Sequence, residues 1–398
     1  MDIFDKCFSF KDAREAQERG IYPYFIPIQE SRGTKVIMRG KELIMAGSNN
    51  YLGLSWDARL KEAAIKATEH WGTSCSGSRF LNGTLALHEE LEHRLAQFVN
   101  KKAALCFSTG YQTNLGAISA LVGKNEHIVT DKLNHASIMD GIFMATGMRG
   151  RVHVHRYQHN NPESLEKNLK EVPAGEPVLV VTDGVFSMEG DIVKMPRVRE
   201  LCTKYGARLY VDEAHGLGVV GKTGRGCEEH FAMPGAADIM MCTFSKSFGS
   251  LGGFVAGDEQ VVDYIKHFAR PLIFSASMPP ATIASVMKAL EIIEAEPERV
   301  HRLQANGRKM VAGFKSLGFH VGAAETPIVP LIIGEFERTL LFWRALFDGG
   351  VFTNPVLPPA TAPDATLIRT SYMAIHTDAE LDQILEVAGK AGKALGII

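Results

Sequence analysis

In Arg208-Leu209-Tyr210-Val211-Asp212-Glu213-Ala214-His215 a short apolar run ends on a carboxylate, and in Ile239-Met240-Met241-Cys242-Thr243-Phe244-Ser245-Lys246 a second ends on an amine. Both are short apolar runs bounded by polar residues, the pattern of a buried strand. Four more precede them: Ala103–Phe107, Ile128–Thr130, Val152–His155 and Val178–Thr182. Helical stretches fit between the runs at 113–122, 137–147, 162–171 and 196–206. Strands alternating with helices predict βαβ units and a mainly parallel sheet.

The polar residues fall at one place in this pattern. Ser108-Thr109-Gly110, Asp131, Asp183, Asp212 and Ser245-Lys246 each follow directly on a strand. Open α/β sheets bind ligands outside the carboxyl ends of their strands. Segments far apart in sequence are therefore expected to meet at one sheet edge.

Outside this region, residues 11–20 predict a polar helix and 35–46 a hairpin around Gly40. Residues 57–71 and 86–99 have helical periodicity. The amphipathic stretch 281–296 leads into a smaller C-terminal domain containing strands at Ile328–Ile333 and Leu367–Thr370. A chain of 398 residues exceeds one ordinary core. The expected division is an N-terminal segment 1–55, a large domain 56–280 and a small α+β domain 281–398.

Composition narrows the function classes. A formal net charge of −2 gives no electrostatic reason to bind nucleic acid or an anionic membrane. The six cysteines are scattered without a C-x-x-C pair, so neither a metal site nor a disulfide framework is expected, and a reducing cytoplasm fits. The N-terminus Met1-Asp2-Ile3-Phe4-Asp5-Lys6 is charged and precedes no long apolar run, unlike a signal peptide. No apolar stretch approaches the ~20 residues of a spanning helix. A lipid-like substrate would still permit peripheral membrane contact.

A lysine at a buried strand end is unusual, because burying an ammonium without a partner is costly. Burial also lowers its pKa and frees the amine for imine formation. The alternative is a lysine that reaches solvent from a loop. Asp212 is placed to pair with a protonated pyridine nitrogen, which keeps such a ring an electron sink; a helix N-cap is the plainer role. His215 could bond a ring hydroxyl, and Thr243 and Ser245 offer hydroxyls to a phosphate. Phe107-Ser108-Thr109-Gly110-Tyr111-Gln112-Thr113-Asn114 is a strand, a glycine turn and a helix start, a phosphate-binding pattern that more often only redirects the chain. His135, after another strand, could stack on an aromatic cofactor or be structural. Arg369, within an apolar strand, is either a carboxylate clamp or half of an internal ion pair.

Together these segments resemble the α-oxoamine synthase family of fold-type I pyridoxal 5′-phosphate (PLP) enzymes. The likeness runs from Asn49-Asn50-Tyr51-Leu52-Gly53-Leu54 to Ile375-His376-Thr377. Its most specific pieces are Asn134-His135-Ala136-Ser137, Asp183-Gly184-Val185-Phe186-Ser187-Met188-Glu189-Gly190-Asp191, Asp212-Glu213-Ala214-His215 and Thr243-Phe244-Ser245-Lys246. The resemblance implies that Lys246 forms the Schiff base and serves as the catalytic base, and that Asp212 pairs with the pyridine nitrogen. His215 and Ser187 would lie at the ring oxygen. His135 would stack on the ring and touch the substrate. Gly110, Tyr111, Thr243 and Ser245 would surround the phosphate, with Ser275 and Ala276 reaching it from the partner subunit of a homodimer. Asn50, Tyr51 and Arg369 would meet the amino acid.

Three segments narrow the likeness to family members that join L-serine to a long-chain acyl-CoA: Gly72-Thr73-Ser74-Cys75-Ser76-Gly77-Ser78-Arg79-Phe80, Thr243-Phe244-Ser245-Lys246-Ser247 and Ser250-Leu251-Gly252-Gly253-Phe254. Members using glycine or alanine with acetyl-, pimeloyl- or succinyl-CoA stay open. Transamination and a catalytically inactive subunit also remain, although inactive subunits lack the lysine. The loop Leu357–Ala362 would either close over the site or stay an exposed turn.

Overall fold

The computed structural model describes residues 2–398. Its central sheet has seven strands: β1 (Ala103–Phe107), β2 (His127–Asp131), β3 (His153–Tyr157), β4 (Val178–Asp183), β5 (Arg208–Asp212), β6 (Ile239–Thr243) and β7 (Gly253–Gly257). Their spatial order is β1-β7-β6-β5-β4-β2-β3. Strands β2 to β6 pair in parallel. β7 runs antiparallel between β1 and β6. The run Gly253-Phe254-Val255-Ala256-Gly257 was not anticipated as a strand. Two glycines frame only three apolar residues there, so it carries little strand signal.

Helices cover both faces, which is why β2, β4, β6 and β7 are buried along their whole length. Side chains alternate between the two faces. Leu209 and Val211 enter one core, whereas Tyr210 enters the other with Leu105, Phe107 and Val181. The helices Gly110–Leu121 and Ala136–Arg149 stand on the Tyr210 side, so their N-termini open at the carboxyl ends of β1 and β2.

The remainder of the chain builds a second layer. Residues 1–55, expected to form a segment of their own, contribute strands Ile28–Arg32, Lys35–Met38 and Lys41–Met45. The last of these pairs in parallel with Val351–Phe352, placing the N-terminal hairpin on the C-terminal unit. Val36, Leu43 and Ile44 pack there with Phe342, Trp343 and Leu381. The helix Pro280–Ala295, expected to lead into the C-terminal domain, instead buries Ile283, Val286 and Leu290 in the large core. The change of core comes within the next helix, Glu298–Leu317. Its Val300 and Leu303 face the large core and its Met310 and Phe314 the small one. Among the described residues no helix is long and apolar enough to cross a membrane. All six cysteines are free.

Candidate active site

The carboxyl ends of β1, β4, β5 and β6 surround a cavity of about 270 Å³. Lys246, Asp212, His135, His215, Gly110, Tyr111, Thr243 and Ser245 all line it, together with Asn114, Ser137 and Asp183. Parallel strands gather these residues because each chain segment reaches the same sheet edge before its connecting helix departs.

Lys246 lies beyond the end of β6, half-buried in the cavity wall. Burial is the largest influence on its amine and brings the pKa down to about 8, against the opposing pull of the Asp212 carboxylate. A substantial neutral fraction is therefore available near neutral pH.

Asp212 ends β5 and is 4% exposed. One oxygen accepts from the Ala214 backbone N–H at 2.9 Å and the other from the Asn114 amide at 2.7 Å. Among the described residues no lysine, arginine or histidine forms an ion pair with it. A buried carboxylate held by two neutral donors is suited to a cation supplied by a ligand. Beside it, at the matching position on β4, stands Asp183. Burial and the Asp212 charge push its carboxyl well above the usual range.

Two histidines flank this pair. Burial, helped by Lys246 and Arg369, drives the pKa of His215 well below its usual value, so the ring is neutral. Its Nδ1 lies 2.7 Å from the Tyr51 hydroxyl. His135 caps the helix Ala136–Arg149 and keeps an open face on the cavity. Burial of the rest of its ring lowers its pKa, against the opposing pull of the Asp212 carboxylate.

The glycine turn has the shape expected of a phosphate cradle. The Thr109 side chain caps the helix Gly110–Leu121 by accepting from Gln112 N–H at 3.1 Å. A Cβ on Gly110 would stand 2.6 Å from Thr243 Oγ1, so a side chain there would close the gap between helix and strand. The hydroxyls of Thr243 and Ser245 lie 2.9 Å apart on the other side. A helix N-terminus facing two hydroxyls is a ready anion site. The donor set thus fits PLP: an amine for the aldehyde, a carboxylate lacking a cation, a neutral ring at each side and a phosphate cradle.

The remaining anticipated residues lie outside the cavity wall. Arg369 is 5% exposed and already held: Nε donates to the Ser187 carbonyl at 2.6 Å and Nη2 to Asn49 Oδ1 at 2.9 Å. Nη2 also reaches the Tyr51 hydroxyl at 3.3 Å, which connects Arg369 to His215 through Tyr51. Ser187 therefore contributes a carbonyl to Arg369. The Asn50 amide turns away to donate to Ser55 Oγ at 2.8 Å. Ser275 accepts from Gln112 at 3.0 Å, and the Ala276 carbonyl accepts from the Ser108 hydroxyl, so both sit behind the glycine turn of their own chain. Asp131 turns to Leu133 N–H and Asn160 N–H, at 2.8 and 2.7 Å, and orders the neighbouring loops. Leu357 is buried while Pro358 to Ala360 form an exposed turn.

Asn114 was not singled out from the sequence, yet it is 1% exposed at the cavity floor. The available signal was an amide immediately before the mostly apolar helix stretch Leu115–Leu121, one turn after Gly110.

The model of the aminotransferase class I and II family matches residues 41–387. A serine palmitoyltransferase of Sphingobacterium spiritivorum is 48% identical, covering 96% of this chain and 95% of the relative. An 8-amino-7-oxononanoate synthase of Thermoanaerobacter pseudethanolicus is 41% identical, covering 100% of this chain and 99% of the relative. The solved serine palmitoyltransferase from S. paucimobilis with bound PLP–myriocin aldimine superposes with a TM-score of 0.95 at 36% identity, over 100% of both chains.

Proposed function

The chain belongs to the aminotransferase class I and II family, and from that premise we propose that it is a PLP-dependent serine palmitoyltransferase. It condenses L-serine with palmitoyl-CoA to 3-ketodihydrosphingosine, releasing CoA and CO2. The observation that carries this reading is the cavity in which Lys246, with a pKa of about 8, shares a wall with the cation-free carboxylate Asp212. Relatives named for this activity and for its nearest alternative, the 8-amino-7-oxononanoate synthase, support the same chemistry.

Bound in this cavity, PLP supplies an aldehyde that bonds an amine and a ring that draws electrons from the substrate's Cα–H and Cα–carboxylate bonds. Lys246 would hold the aldehyde at rest. Once displaced by serine, its neutral amine would remove the Cα proton as general base. Asp212 would keep the pyridine nitrogen protonated. His215, neutral and bonded to Tyr51, would meet the ring oxygen, and His135 would cover the ring face. The Gly110 turn with Thr243 and Ser245 would hold the phosphate. Arg369 would take the serine carboxylate through Nη1, whose present contact with Ser371 Oγ is long at 3.4 Å. The Cα carbon then attacks the thioester carbonyl, CoA leaves as thiolate, and loss of CO2 precedes reprotonation.

The working form is a homodimer. Phe80, Leu81, Leu251 and Phe274 are 57%, 77%, 53% and 71% exposed, apolar area that a second copy would cover. Ser275 and Ala276 would then approach the partner's phosphate. Free cysteines agree with a cytoplasmic setting, and contact with a membrane surface would serve delivery of the acyl chain.

Serine, glycine and alanine, each paired with acetyl-, pimeloyl- and palmitoyl-CoA, test the proposal through CoA thiol release. Release with serine and palmitoyl-CoA above every other pair is expected. Preferred release with alanine and pimeloyl-CoA would move the assignment to the oxononanoate synthase.

A further inference from the structure

A buried hydrogen-bond chain runs beneath the cavity, and its polarity can be read in one direction only. The Tyr210 hydroxyl donates to Asn114 Oδ1 at 2.8 Å. The amide nitrogen of Asn114 donates both hydrogens, to Asp212 Oδ2 at 2.7 Å and to Ser137 Oγ at 2.9 Å. Ser137 Oγ lies 2.7 Å from His135 Nδ1. A serine oxygen that already accepts from Asn114 has its own proton free for Nδ1. The Ser137 backbone N–H also points at Nδ1, at 3.3 Å.

Two donors therefore converge on His135 Nδ1, which must act as acceptor. The neutral ring then carries its proton on Nε2. Tyr210 and Asp212 stand two apart on β5 and so share a face of the sheet, which lets one amide bridge both. Tyr210, Asn114 and Ser137 are 0%, 1% and 1% exposed, so water cannot replace a lost link cheaply.

We propose that Asn114 is a positioning residue, oriented by Tyr210, that holds the Asp212 carboxylate and at the same time fixes the His135 proton on Nε2 through Ser137. The Tyr210 hydroxyl decides which way the amide faces. Without it, the amide could turn its oxygen towards Asp212 and repel it. The Asp212 half of this inference rests on the PLP reading; the His135 half does not.

Two measurements test it. In PLP-loaded protein, Tyr210→Phe and Asn114→Leu should weaken PLP affinity roughly tenfold and shift the pH midpoint of the visible absorbance by about one unit. In protein labelled with ¹⁵N-histidine, His135 should show its proton on Nε2, and Ser137→Ala, which leaves only the longer backbone N–H contact on Nδ1, should raise the Nδ1-protonated fraction. Tyr210→Phe preserves the buried ring, so it remains informative if Asn114→Leu fails to fold. Unchanged affinity and midpoint in Tyr210→Phe, or a wild-type His135 protonated on Nδ1, would overturn the inference. If the wild-type protein takes up no PLP, the cofactor reading fails instead, and the histidine spectra alone decide the role of Ser137.

Discussion

At the scale of single residues, the sequence exposes chemistry only where it breaks a pattern. Asp212 stands out because it ends a buried strand, and Lys246 because it follows one by three residues. Asn114 is hidden because an amide within a helix is common. Arg369 is visible as a charge in an apolar strand, but its ties to Asn49, Tyr51 and the Ser187 carbonyl depend on segments distant in sequence. Glu213, next to Asp212, makes a residue-scale prediction. It is fully buried among Gly184, Gly216 and Gly226, and burial raises its pKa to about 7. Between its unfolded pKa of 4.5 and about 7 the folded state holds the extra proton. Stability therefore falls as pH rises through this window and levels off above it. Glu213→Gln should leave stability near pH 4 little changed and raise it at pH 8 by up to about 3 kcal/mol, measured by urea unfolding at both pH values. An equal effect at both would show that Glu213 does not titrate in this window.

Among elements, the parallel strands and their helices were legible because buried strands read as continuous apolar runs and amphipathic helices as periodic ones. β7 was not, although it sits at the centre of the site's support. Its glycines serve close packing. A Cβ on Gly253 would lie 2.7 Å from the Cys242 carbonyl and from Thr113 Oγ1, and 2.9 Å from Gly110 Cα. β7 thereby holds the glycine turn against β6. Gly253→Ala should cost about 1–3 kcal/mol of stability and weaken PLP binding more than it weakens the fold, compared by thermal unfolding with and without PLP. Equal midpoint losses in both forms would mean that β7 supports the core alone. The N-terminal hairpin joins the C-terminal core through Ile44 and Val351, a pairing between residues that no local pattern connects.

For the whole molecule, the sheet edge brings together residues spread from 110 to 246, and in the proposed dimer a second copy would cover the exposed apolar rim. Replacing Phe80 and Leu81 by glutamate should shift the protein from dimer to monomer in sedimentation velocity and reduce CoA release; a mixture unchanged from wild type would place the interface elsewhere. The central claim, that Lys246 bonds the cofactor within this cavity, has a direct chemical test. Borohydride reduction of the PLP-treated protein, followed by peptide mass spectrometry, should place one phosphopyridoxyl group on Lys246 and none in Lys246→Ala. A label on any other lysine, or no label on the wild-type chain, would contradict the account.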